Sequence, residues 1–210
     1  MLHAKHVSID ENLHEKVVIV KFQDFDVFLL TAAFVHQLSC LMFFATGVGN
    51  HARVLHVNRI LEKYGQNVCS ALLGFHAFTG CDSTSSFKGK GKTKPFNLMI
   101  KSKVFSDLFA HFGEDWTLSE EQANCLEAFV CSLYNQSTTS SVNKAIANIF
   151  KETMKIDSTM PPNKECLHLH CLRSLYQTAL WRQSLTPVIL APSPVDFGWT
   201  ANTDSSLTTK

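Results

Sequence analysis

Apolar positions in this chain follow two different rules. From Val17 to His56 they come in short continuous runs, whereas from Val57 onward they recur at three- and four-residue spacing. Short β-branched or aromatic runs read as buried strands, and the wider spacing reads as one face of a helix. Val17-Val-Ile-Val20, Val27-Phe-Leu-Leu30 and Leu41-Met-Phe-Phe44 are therefore predicted strands, with a shorter one at Arg53–His56. A short helix and loop is predicted over 2–15, a helical segment over 34–38, and a turn over 47–50. Helices are predicted over 57–64 (stopped by Gly65), 67–79, 96–112, from Ser119 through Leu133, 141–154 and 163–182. Ser119-Glu-Glu-Gln122 has the cap and acidic first turn of a helix start. Beyond about residue 186 the chain is Pro-punctuated and then Ser/Thr-rich, so an extended or disordered tail is expected. Strands early and helices late predict an α/β front half with a helical back half. The run Val27–Val48 is long enough to span a bilayer, but His36, Gln37, Ser39 and Cys40 interrupt it. Strand, helix and strand fit it as well, and no membrane partner is expected.

Composition narrows the classes. A chain of 210 residues that is 45% hydrophobic and 18% charged is not a disordered or collagen-like protein. With 19 Lys+Arg against 18 Asp+Glu, any basic site must be local. Seven scattered cysteines and an N-terminus without signal-peptide features predict reduced thiols in an intracellular, non-secreted protein.

Candidate chemistry lies in two places. Asp24 and Asp26 sit beside a predicted buried strand, two residues apart and so on one face of an extended segment. Paired carboxylates suit Mg²⁺ or Mn²⁺, and an exposed turn is the competing reading. The second place is Phe87-Lys-Gly-Lys-Gly-Lys92, where Gly89 and Gly91 lie between lysines just before a helix. Such a turn lets backbone N–H groups approach phosphate, with Lys88, Lys90, Lys92 and Lys94 as a basic patch. A solvated loop is the plain alternative, and the glycine spacing is not that of a Walker A loop. Cys166-Leu-His-Leu-His-Cys171 invites structural zinc, against a helix carrying incidental His and Cys. His76 reads either as a partner of a metal site or as a satisfied buried histidine. Trp116, Trp181 and Trp199 read as packing residues.

The order of these features resembles the flap endonuclease branch of the PIN-like nuclease superfamily. In that branch an Asp-x-Asp ends a core strand, as Asp24-Phe-Asp26 does here, and a Gly-(Ser/Cys)-Asp follows a helix, as Gly80-Cys-Asp82 does. A helix–Gly-x-Gly–helix unit then grips the nucleic-acid backbone, the place taken by Gly89 and Gly91 within about 67–112. The chain is more similar still to a repetitive group of animal proteins. These share a phrase like Phe75-His-Ala-Phe-Thr-Gly-Cys-Asp82, a Gly-Lys-Gly-Lys, and Trp181-Arg182 followed by Pro192-Ser-Pro194 and Gly198-Trp199. That resemblance runs from about Leu2 to Trp199, and the endonuclease resemblance over about 17–100.

The resemblance implies a partial PIN-like parallel core over 1–112, a helical extension over 113–185 and a tail over 186–210. It implies Asp24, Asp26 and Asp82 as ligands of Mg²⁺ or Mn²⁺. Lys88, Gly89, Lys90, Gly91, Lys92 and Lys94 would hold the phosphate backbone of DNA rather than RNA, in the nucleus rather than the cytoplasm. Two departures bear on activity. Related sequences carry an acidic His-Glu-Glu-Ala-Asp segment just upstream of the position of Leu2, so an N-terminally truncated copy is implied. Phe22-Gln23 also stands where relatives have Ser-Pro. Metal-dependent phosphodiester hydrolysis is the leading expectation. The alternative is a non-catalytic nucleic-acid-binding module or an inactive fragment.

Overall fold

The computed structural model describes residues 1–9, 16–153, 160–201 and 207–209. It is mixed α/β, mostly helical, with a small three-stranded sheet. Strands β1 (Val17–Lys21), β2 (Leu41–Thr46) and β3 (Arg53–His56) lie in that order. β1 and β2 are parallel, with Val17 opposite Leu41, and β2 and β3 are antiparallel, with Phe43 opposite His56. The sheet is therefore mixed rather than all parallel.

Two parallel neighbours need a crossover, and α2 (Phe25–Phe34) with the 3₁₀ turn Val35–Gln37 supplies it. Here the structure corrects the sequence reading, because Val27–Leu30 is helix and not strand. A short apolar run has the same appearance in a buried helix and a buried strand. Local chemistry decides for helix, since Asp24 caps the segment and Leu, Ala and Phe fill it. Among the described residues no helix is long and apolar enough to cross a membrane.

The helix α3 (Asn58–Thr79) is the axis of the molecule. Gly65, at φ +79°, kinks it where the sequence predicted a stop between two helices. Beyond the kink, every residue from Ala71 to Thr79 is buried, as in a helix surrounded by others. One flank of α3 meets the sheet, where Leu72 joins Leu29, Val35, Met42 and Phe44. The other meets the helical core of Phe78, Phe109, Phe129, Leu133 and Leu175. The front and back halves thus pack as two cores on the two flanks of one helix. The opposite face of the sheet is open, with Val17 52%, Ile19 62% and Val54 62% exposed.

The remaining helices are α1 (Leu2–Ile9), which precedes the sheet, and α4 (Thr93–Lys101), α5 (Lys103–His111), α6 (Glu120–Leu133), α7 (Val142–Thr153) and α8 (Lys164–Arg182). A single helix was expected over 96–112, but Ser102 takes extended geometry and caps α5 by accepting the Phe105 N–H. The apolar spacing runs straight through this break, which hides it from the sequence pattern. Ser119 and Gln122 form a reciprocal capping box at α6, as its sequence predicts. The tail is extended in part, in β4 (Trp199–Ala201) and β5 (Leu207–Thr209), yet Phe197 is buried and packs with Trp116 and with Tyr176, which also meets Trp199.

Gly74 lets α3 approach α5. A Cβ there would lie 2.8 Å from the Phe109 carbonyl oxygen and 3.1 Å from Phe112 Cβ. Gly74→Ala is expected to lose about 1–3 kcal/mol in urea unfolding, although alanine is the better helix former. An unchanged midpoint would show that the two helices can separate freely.

Candidate functional site

Asp24 and Asp26 lie at the carboxyl end of β1, where ligand sites of parallel α/β units form. Asp24 is the N-cap of α2, with its Oδ1 accepting the Asp26 N–H at 2.8 Å. Asp26 occupies the first turn, where a negative charge suits the helix dipole. Its Oδ1 is 2.7 Å from His76 Nε2, which comes from α3 fifty residues away. A carboxylate only accepts, so Nε2 carries the proton and donates it. The imidazole stacks on Trp181 at 5.8 Å and meets the edge of Phe25 at 5.6 Å. Its Nδ1 is buried without a partner. Burial, with Lys92 beside it, holds the His76 pKa below the ordinary value despite the pull of Asp26 and Asp24. His76 is thus a neutral donor that fixes one oxygen of Asp26.

Lys92 faces the same corner. Its Nζ donates to the Gly80 carbonyl at 2.6 Å, to Thr79 Oγ1 at 2.9 Å and to the His76 carbonyl at 3.4 Å. These groups close the C-terminus of α3, which favours a cation. Burial lowers the Lys92 pKa to about 8, against the opposing influence of Cys81 and Asp26. Gly80, at φ +107°, turns the chain out of α3, and a Cβ on it would lie 2.7 Å from Ser86 Cα. Asp82 follows in an exposed turn closed by bonds between Cys81 and Thr84. Among the described residues, no three His, Cys, Asp or Glu side chains are grouped to hold a metal ion. The structure therefore joins Asp26 to His76, with Asp24 capping the same helix and Lys92 beside them, and Asp82 lies in the turn that follows α3.

The basic loop is organised more tightly than its sequence suggests. The Lys90 N–H closes a turn onto the Phe87 carbonyl at 3.0 Å, and Gly89 supplies the positive φ of +71°. Lys90 Nζ lies 4.3 Å over the Tyr134 ring, and burial first, then Lys94, lowers its pKa. Lys94 donates to the Leu133 carbonyl at 3.0 Å and to Asn135 Oδ1 at 2.8 Å, at the end of α6. Lys88 is exposed at the tip, and a Cβ on Gly89 or Gly91 would meet open space.

A groove of about 400 Å³ opens beside this corner, with Phe25, Tyr64, Phe75 and Phe96 on its walls and His76 and Lys92 at one end. The Cys166–Cys171 segment does not converge on a metal: Cys166 is exposed, Cys171 is buried, and His170 Nε2 is 2.7 Å from the Phe78 carbonyl. The His76–Asp26 pair was not readable as a pair, because only the packing of α3 against α2 joins them. Trp181 and Arg182, adjacent in α8, both serve packing at this end of the molecule. Trp181 stacks on His76, while Arg182 Nε donates to the Phe112 carbonyl at 2.7 Å. Compared with protein-family models, curated proteins and solved structures, the chain matches none.

Two outcomes test this geometry. Asp24→Ala is expected to cost about 1 kcal/mol in urea unfolding, and Asp24→Asn almost nothing, because asparagine caps as well as aspartate. Equal losses would remove Asp24 from the capping role. For Lys92, the pKa falls from 10.5 in the unfolded chain to about 8 in the fold. The unfolded chain then holds more protons between about 8 and 10.5, so stability rises with pH across that window. Lys92→Met is expected to flatten this rise relative to the parent protein. Parallel pH profiles would show that Lys92 titrates normally.

Proposed function

We propose that this chain is a PIN-like, flap endonuclease-like domain that hydrolyses nucleic-acid phosphodiesters with Mg²⁺ or Mn²⁺ at Asp24 and Asp26. The observation that carries this reading is the pair of carboxylates at the carboxyl end of β1. Each has one oxygen engaged, by the Asp26 N–H or by His76, and one oxygen without a hydrogen bond among the described residues. Mg²⁺ binds through one or two carboxylates and keeps several waters, so this donor set fits one such cation. The cation supplies Lewis-acid polarisation of the scissile phosphate.

The chain's own residues do the rest. His76 holds the Asp26 carboxylate in one orientation, and the Trp181 ring keeps water from the far face of the imidazole. Lys88 and the amides around Gly89 and Gly91 meet the phosphate backbone of DNA. Lys90, Lys92 and Lys94 set the shape of the loop and take a smaller share of that contact. Asp82, a third ligand in the resemblance, flanks the loop from its exposed turn. A second reading, binding without hydrolysis, is favoured by the Lys92 ammonium, which already offsets charge beside Asp26.

The test is Mn²⁺-dependent cleavage of a labelled 5′-flap DNA by the purified chain, beside Asp26→Asn and Asp24→Asn. Both variants should melt cooperatively. Cleavage is expected in the parent and is expected to fall at least about 100-fold in Asp26→Asn. Retained salt-sensitive DNA binding without cleavage, weakened by Lys88→Ala, would establish the second reading.

A further inference from the structure

Arg173 in α8 is a buried cation without a counter-charge among the described residues. Its side chain is 7% exposed. Nη1 donates to the Gly198 carbonyl at 3.1 Å, Nε has no partner, and among the described residues no carboxylate pairs with the guanidinium. Guanidinium stays protonated in proteins, so the charge cannot be shed by deprotonation. Burying a cation unpaired is expensive, and buried charges are ordinarily matched by an opposite charge.

The same side chain lines a cavity of about 380 Å³, between the start of the basic loop and the first half of α8. Lys88 and the hydroxyl-bearing Ser85 and Ser86 line it as well, and among the described residues no Asp or Glu does. Pro161 and Pro162 give it an apolar wall. His170, also on the lining, is held neutral by burial, with a pKa near 4, and adds no charge. Two cations and two hydroxyls around one space are the donor set of a phosphate dianion. The volume leaves room for an organic body of mononucleotide size against the prolines.

We propose that this cavity is a phosphate-monoester site, with Arg173 and Lys88 holding the phosphate and Ser85 and Ser86 donating to it. The phosphate belongs either to a free nucleotide or to the 5′ end of a nucleic-acid strand. The site shares no residue with the Asp24–Asp26 corner except through Lys88 at the loop tip, and it does not depend on hydrolysis there.

The experiment is calorimetric titration of the full chain in EDTA, which takes metal-dependent cleavage out of the readout. The probes are 5′-AMP, adenosine, and a short oligonucleotide with and without a 5′-phosphate. We expect 5′-AMP to bind at least about tenfold tighter than adenosine, because charge-assisted contacts are lost with the phosphate. Arg173→Gln and Lys88→Ala are each expected to remove most of that preference. Lys88 is exposed, so its variant reports on the site even if Arg173→Gln folds poorly. A preference for the 5′-phosphorylated strand over 5′-AMP assigns the strand end, and the reverse assigns a free nucleotide. Equal binding of 5′-AMP and adenosine, or a preference untouched by Lys88→Ala, overturns the proposal.

Discussion

The last carbonyls of α3 lie in the protein interior, where water cannot satisfy them, and the ammonium of Lys92 takes their place. Much of the molecule follows from that bond. Lys92 belongs to the loop after α3, so closing the helix also pins the loop against it. Lys94 does the same for α6 through the Leu133 carbonyl. Arg182 does it for α5, donating to Phe109 and Phe112 and reaching Ser70 of α3 as well. Three helices that meet at one core are finished by cations arriving from other segments. The dipoles of those helices and the desolvation of their ends act in the same direction.

This arrangement explains which parts of the fold were legible in the sequence. The β-branched run at Val17 and the capping box at Ser119 act locally, and local chemistry settled both. The crossover helix α2 was not legible, because a run of Val, Phe and Leu satisfies the burial needs of a strand and of a buried helix equally. The break at Ser102 was masked by apolar spacing that continues through it. The basic loop is the most instructive case. A Lys-Gly-Lys-Gly-Lys segment before a helix has the same composition whether its ammonium groups face solvent or carbonyl oxygens. Only the positions of the α3 and α6 ends, set by the packing of Phe78, Phe109 and Phe129, turn Lys92 and Lys94 inward and leave Lys88 at the tip.

The acidic and basic features are therefore parts of one electrostatic unit. Lys92 is close enough to Asp26 for each to bear on the other's surroundings, and His76 stands between them in both sequence and space. The neutrality of His76 follows from this balance, with burial and Lys92 opposing the two carboxylates. A substitution at Lys92 changes the shape of the loop, the end of α3 and the charge beside Asp26 together, so its effects cannot be assigned to phosphate contact alone.

The N-cap role of Asp24 has a consequence for how such a chain changes over generations. Position 24 answers to folding whatever chemistry it serves, and folding accepts aspartate, asparagine, serine or threonine there. A copy that has lost its activity would still be held to that short set by the need to start α2. Retention of Asp24 among diverging copies is then a poor sign of a working enzyme. Asp26, which starts no helix and whose partner is a single histidine, is the position whose drift would date the loss.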